Sequence, residues 1–129
     1  MKLERLDHLG IEVTDLARAE RFYVDTLGMR IVARMGDQIL LECGAQNLAL
    51  FRVPRPPLSA AERAARIGNP LGKGHHAFRV SPADFASARE SLIAAGVETA
   101  APIDWGDHDC LYFLDPDGNL MEIVTYRGR

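Results

Sequence analysis

The sequence predicts an α+β fold of two tandem βαβββ modules, forming a cupped mixed sheet around a central cavity. Three observations carry that expectation. First, His8-Leu9-Gly10-Ile11-Glu12-Val13 is echoed by His75-His76-Ala77-Phe78-Arg79-Val80; both read histidine, any residue, a very small residue, apolar, charged, valine. Second, each copy is followed by an amphipathic helical pattern that stops at a glycine, Gly28 or Gly96. Third, each half then continues as extended runs punctuated by turn residues. Successive strand side chains point to opposite faces. One face therefore carries His8, Gly10 and Glu12, or His75, Ala77 and Arg79, and the other packs under the helix.

Taken in order, 8–13 is the first strand, and Thr14-Asp15 offers an oxygen-bearing helix cap with an acid at the positive helix end. Leu16, Ala19, Phe22, Tyr23 and Leu27 recur at helical spacing as one buried stripe. Extended runs follow at 29–35, 38–42 and 47–53, separated by Gly36-Asp37 and by Cys43 to Gln46. The segment 54–74 has proline and glycine at both ends and an alanine- and arginine-rich middle, Ser59 to Ile67, that suits one or two helical turns. It links module one (about 3–53) to module two (about 75–127) within a single domain spanning 1–129. In module two, Ser81-Pro82-Ala83-Asp84 starts a helix with proline at its first position and an acid able to complete a capping box. Phe85, Ala88, Leu92 and Ala95 form the buried stripe of that helix. The run 97–102 is extended and 103–109 is a polar loop. Two strands, 110–114 and 119–126, are joined by Asp115-Pro116-Asp117-Gly118, a strong turn signal.

At 129 residues, 47% hydrophobic and 26% charged, the chain is globular and large enough for its own core. A net charge of −3 argues against a nucleic-acid or polybasic membrane surface. The charged start Met1 to Asp7 is unlike a secretory signal, and no apolar run approaches the ~20 residues of a membrane helix. Cys43 and Cys110 show no motif spacing and suit a reducing compartment. The expectation is a cytoplasmic protein that engages neither nucleic acid nor membrane.

The candidate site rests on the repeat. A lone strand histidine is commonly satisfied by hydrogen bonds alone, but two at equivalent positions on paired modules can face one cavity. Glu122 supplies a third group. It sits in the otherwise apolar run Leu120-Met121-Glu122-Ile123-Val124, where an unpaired buried carboxylate would cost several kcal/mol. A buried glutamate there implies a cation or a raised pKa. His8, His75 and Glu122 make a two-histidine, one-carboxylate set suited to Fe(II), Mn(II), Zn(II) or Ni(II), with coordination positions left open. The repeat aligns His76 with Leu9, which makes His76 outward-facing or a support for the ligands. Glu12 and Arg79 occupy equivalent positions, at an exposed strand end or as orienters of a charged substrate. Asp104 to Asp109 forms a solvated loop in which Trp105 could cover the cavity, and Asp115 and Asp117 belong to the turn.

These residues resemble the vicinal oxygen chelate superfamily, which includes glyoxalase I, extradiol dioxygenases, fosfomycin-resistance transferases and bleomycin-resistance proteins. Asp7-His8-Leu9-Gly10-Ile11, Phe22-Tyr23-x-x-x-Leu27-Gly28, His75-x-Ala77-Phe78 and Tyr112 to Glu122 carry the resemblance, which covers nearly the whole chain. It implies paired βαβββ modules around a divalent ion, with ligands at His8, His75 and Glu122, a small substrate chelated through two adjacent oxygens, and usually a homodimer. In some members one chain builds the cavity; in others, modules of two chains combine. Aligning Asn47-Leu48-Ala49-Leu50 with Asn119-Leu120-Met121-Glu122 places Leu50 where four-ligand members carry another ligand, with Glu42 a weak rival. Gly10 and Pro102 depart from the fosfomycin enzymes, which carry a threonine at the first and a basic residue near the second. Tyr112 stands ten positions before Glu122, as the catalytic tyrosine of extradiol dioxygenases precedes its carboxylate. A paired Tyr112 would present its hydroxyl as donor or proton relay. The expected activity is metal-dependent lysis, isomerisation, transfer or ring cleavage; the competing expectation is a metal-free binder of the bleomycin type.

Overall fold

A computed structural model describes residues 1–128 and divides into two compact units, Met1–Pro57 and Leu58–Arg129. The first unit holds β1 (His8–Val13), α1 (Leu16–Glu20, continuing as π-helix over Arg21–Thr26), β2 (Arg30–Met35), β3 (Gln38–Cys43) and β4 (Gln46–Arg52). Its four strands form one mixed sheet in the order β1-β4-β3-β2, with β1 parallel to β4 and the other pairs antiparallel. Asp15 caps α1 by accepting from the Arg18 N–H at 3.0 Å. The π-helical turns place Phe22 edge-on to Tyr23, with ring centroids 5.1 Å apart and Tyr23 fully buried. Gly28, at φ 77°, takes the left-handed turn that ends the helix, a conformation that favours glycine. The face of β1 opposite His8 carries Ile11 and Val13, and these join Leu41, Leu48 and Leu50 in the core.

The second unit opens with α2 (Ala60–Gly68), then β5 (His76–Arg79), α3 (Pro82–Ala94), β6 (Ile103–Asp104), β7 (His108–Leu114) and β8 (Leu120–Tyr126). Its sheet repeats the same order, β5-β8-β7-β6, with β5 parallel to β8. The two-module βαβββ expectation is met. The linker helix forms with a full capping box, Ser59 and Glu62 each accepting from the other's backbone N–H. The box expected at Ser81 is only half made: Ser81 Oγ accepts from the Asp84 N–H, but the shorter aspartate side chain accepts the Ser81 hydroxyl instead of the backbone N–H.

Two boundaries differ from the sequence expectation. The run 97–102 makes one isolated bridge, Thr99 to Phe113, and the short edge strand β6 follows it. His108, expected in the loop, is the first residue of β7 and faces Tyr126 across the ladder. Backbone pairing overrides polarity there: His108 pairs with Tyr126 of β8 on one side, and its carbonyl accepts from the Trp105 N–H at 2.9 Å on the other. On one face of β7 and β8, Cys110, Tyr112, Leu114 and Leu120 form a buried cluster, against which Ile67 of α2, Ala100, Ile103 and Val124 pack. Among the described residues no helix is long and apolar enough to cross a membrane.

Candidate metal and catalytic site

Strand register assembles the site in the second unit. Glu122 lies at the centre of β8, with Ala77 of β5 on one side and Tyr112 of β7 on the other. Period-two alternation puts His75, Ala77, Glu122, Tyr112 and Cys110 on one face, the small Ala77 leaving room beside the carboxylate. His75 precedes the first residue of β5. Its Nδ1–H donates to the Lys73 carbonyl at 2.8 Å, which turns Nε2 to within 2.7 Å of Glu122 Oε2. The Glu122 side chain is 11% exposed and that of His75 29%. A ring nitrogen and a carboxylate oxygen at that distance share a proton or a cation, since two facing lone pairs repel.

Tyr112 closes the other side. Its ring meets that of His75 edge-on, with centroids 5.2 Å apart and planes at 75°. Burial, reinforced by the Glu122 carboxylate, pushes its phenol above the ordinary tyrosine value, so the hydroxyl keeps its proton. Cys110, fully buried, faces the same carboxylate, and the Trp105 indole N–H donates to its Sγ at 3.3 Å. Burial raises this thiol; the indole bond opposes that shift and Glu122 adds to it. Sequence reading did not place Cys110 here, although its position two residues before Tyr112 puts it on the same strand face. Trp105 and Tyr126 flank the His108 ring, at 6.2 and 5.1 Å between centroids, and the Arg79 guanidinium sits 5.2 Å over Tyr126. Arg79 therefore ends in a cation–π contact.

His8 belongs to the first unit. It is half-exposed and its Nδ1 lies 2.8 Å from Asp7 Oδ2, a bond that holds the Asp7 carboxyl below the usual range. Both candidate histidines thus have Nδ1 engaged by an oxygen acceptor, the arrangement that orients Nε2 toward an ion. His108 shows the same pattern with Asp107 at 2.6 Å, so the pattern alone does not select a ligand. Among the described residues no group of three His, Cys, Asp or Glu side chains gathers closely enough to hold an ion. The second unit supplies a pair, His75 and Glu122.

Three other expectations are settled by geometry. The first unit's counterpart of Glu122 is Ala49, not Leu50: Gly10 pairs with Ala49 and Leu40 with Ala49, as Ala77 and Tyr112 pair with Glu122. The hairpins differ in length by one residue, which the gapless alignment could not register. Leu50 is fully buried on the helix-facing side. Glu42 pairs with Arg30, whose Nε donates at 2.9 Å. Asp115 serves the turn, its Oδ1 accepting from the N–H groups of Asp117 (2.9 Å) and Asn119 (2.8 Å).

A duplicated βαβββ scaffold, with a glutamate on an inner strand paired to a histidine at the start of its neighbour, defines a class of protein. The chain matches the family model of the Glyoxalase/Bleomycin resistance protein/Dioxygenase superfamily over residues 5–123, and it belongs to that superfamily. It is 30% identical to glutathione transferase FosA of Serratia marcescens, over 94% of this chain and 80% of that protein. It is also 30% identical to metapyrocatechase 2 of Cupriavidus necator, over 92% of this chain but 32% of that longer protein. The fold matches a lactoylglutathione lyase structure from Agrobacterium tumefaciens with TM-score 0.73 and 24% identity, covering 97% of this chain and 96% of that one. The two relatives thus carry the names of a glutathione transferase and a metapyrocatechase.

Proposed function

We propose that the protein is a divalent-metal-dependent enzyme, with His8, His75 and Glu122 holding the ion and Tyr112 acting on the substrate. The observation that carries this reading is the 2.7 Å approach of His75 Nε2 to Glu122 Oε2, with the other ring nitrogen fixed by a backbone carbonyl. The donor set fits a borderline ion such as Fe, Mn, Zn or Ni, since two imidazoles and one carboxylate leave positions open for a chelating substrate. Such an ion supplies Lewis acidity toward two adjacent oxygens of a small molecule.

The remaining work falls to the chain. Lys73 fixes the tautomer and orientation of His75 through its carbonyl. Tyr112, protonated and beside Glu122, donates a hydrogen bond to a substrate oxygen as it gains charge, or passes that oxygen a proton. Cys110, its Sγ accepting from the Trp105 indole N–H, packs beside the carboxylate. The protein is taken to act as a homodimer in the cytoplasm, where Cys43 and Cys110 remain free thiols.

Elemental analysis of protein purified without an affinity tag tests the reading, with about one ion per chain expected for a single three-ligand site. Less than about a tenth of an ion, with no uptake of added Mn, Fe, Zn or Ni, would replace the enzyme by a metal-free binder. The identity of the ion then narrows the reaction. Iron points to oxygen chemistry, and zinc or nickel to isomerisation, lysis or transfer.

A further inference from the structure

Beside the His75–Glu122 pair lies a hollow of about 440 Å³ lined by Arg66, Lys73, Gly74, His76, Asn119 and Leu120. Its volume falls within the range of small-molecule sites. Two of its walls carry cationic side chains and none carries an acid. Both cations bond to neutral backbone oxygens, Arg66 to Gly118 at 2.7 Å and Lys73 to Asn69, so these contacts do not cancel their charge. Glu62, one helical turn from Arg66, lines the adjoining hollow rather than this one, with its carboxylate accepting from the Ser59 N–H at 2.7 Å. Asp115, buried and bonded to Asp117 and Asn119, also lies outside the lining. A guanidinium and an ammonium converging on one cavity recognise an oxyanion.

The hollow is joined to the metal pair through covalent structure. Gly74 immediately precedes His75, and the Lys73 carbonyl orients that imidazole. Leu120 and Glu122 project from the same face of β8, about 7 Å apart along the strand. We infer that this hollow binds the phosphate or carboxylate group of an anionic small molecule. On the metal-site reading above, on which this second step rests, that group is the anionic end of the substrate, its two chelating oxygens lying toward His75 and Glu122.

Calorimetric titration of the metal-stripped full chain with inorganic phosphate, and separately with acetate, tests the anion site without any ion present. Saturable binding of one of them is expected, with the backbone amide signals of Gly74 and Asn119 shifting in parallel in nitrogen–proton spectra. The tighter of the two identifies the group. Lys73→Gln, at an exposed position where folding is not at risk, should weaken binding about tenfold, and Arg66→Lys should weaken it through loss of the forked donor geometry. No saturable binding of either anion, or equal binding by wild type and Lys73→Gln, would overturn the inference. If the wild type takes up no metal yet binds phosphate, the metal reading alone fails; metal uptake without anion binding removes the hollow alone.

Discussion

The two modules have the same strand order and the same histidine before a small residue, yet they treat that histidine differently. In the first, His8 faces the Asp7 carboxylate at the half-exposed start of β1. In the second, His75 is turned by a backbone carbonyl against Glu122 on the neighbouring strand. Where the second module has Tyr112 and Glu122 side by side, the first has Leu40 and Ala49. Duplication kept one imidazole in each half, while the carboxylate and the phenol are found only in the second. The scaffold repeats but the chemistry does not. Polar groups that would be costly to bury are concentrated where they satisfy one another.

The largest effect should come from breaking the second module's pair. Glu122→Gln or His75→Gln is expected to lower divalent-ion affinity more than about a hundredfold, exceeding what loss of a supporting group alone causes. Unchanged uptake by calorimetry would refute the ligand assignment. His8→Gln sharpens the contrast between modules. A comparable loss makes the first module's histidine a ligand, as proposed, and an unaltered affinity would restrict the ion to the second module.

Tyr112→Phe should preserve ion uptake while lowering kcat by about 10²–10⁴, the range of a lost general acid. A comparable rise in KM with kcat unchanged would make the tyrosine a binding group. For stability, Gly118→Ala should cost about 1–3 kcal/mol by urea denaturation, because Gly118 has φ 82° and an added Cβ would lie 2.5 Å from Leu58 Cδ1. Wild-type stability there would show that the contact of Leu58 with the turn yields freely.

The smallest effect is on pH dependence. Burial raises the Tyr112 phenol, so the unfolded chain gives up that proton first. The contribution is present below the ordinary tyrosine value of about 10 and is lost as pH rises through the higher folded value. Tyr112→Phe should flatten part of that alkaline fall.

Much of this was legible in sequence because its signals are local or repeated. Glycines at both helix ends, the Asp-Pro-Asp-Gly turn and the echo of 8–13 in 75–80 are read without knowing what touches what. The pairing of Tyr112 with Glu122 follows from a short hairpin whose turn fixes the register. What escaped depends on register or on contacts distant in sequence. The identification of Leu50 as the counterpart of Glu122 failed by one residue, which in a strand exchanges faces. Cys110 gives no motif signal; its place beside Glu122 emerges only from the β7–β8 ladder. The basic hollow needs α2, the 69–74 turn and the start of β8 brought together, which no periodicity in any of them announces.

Anomalous diffraction from crystals grown with zinc would locate the ion. One strong peak is expected about 2.0–2.2 Å from the His75 Nε2 and from a Glu122 carboxylate oxygen, with the imidazole of a His8, from the same chain or a second copy, completing the set. A peak bound elsewhere, or none between His75 and Glu122 with zinc in excess, would contradict it.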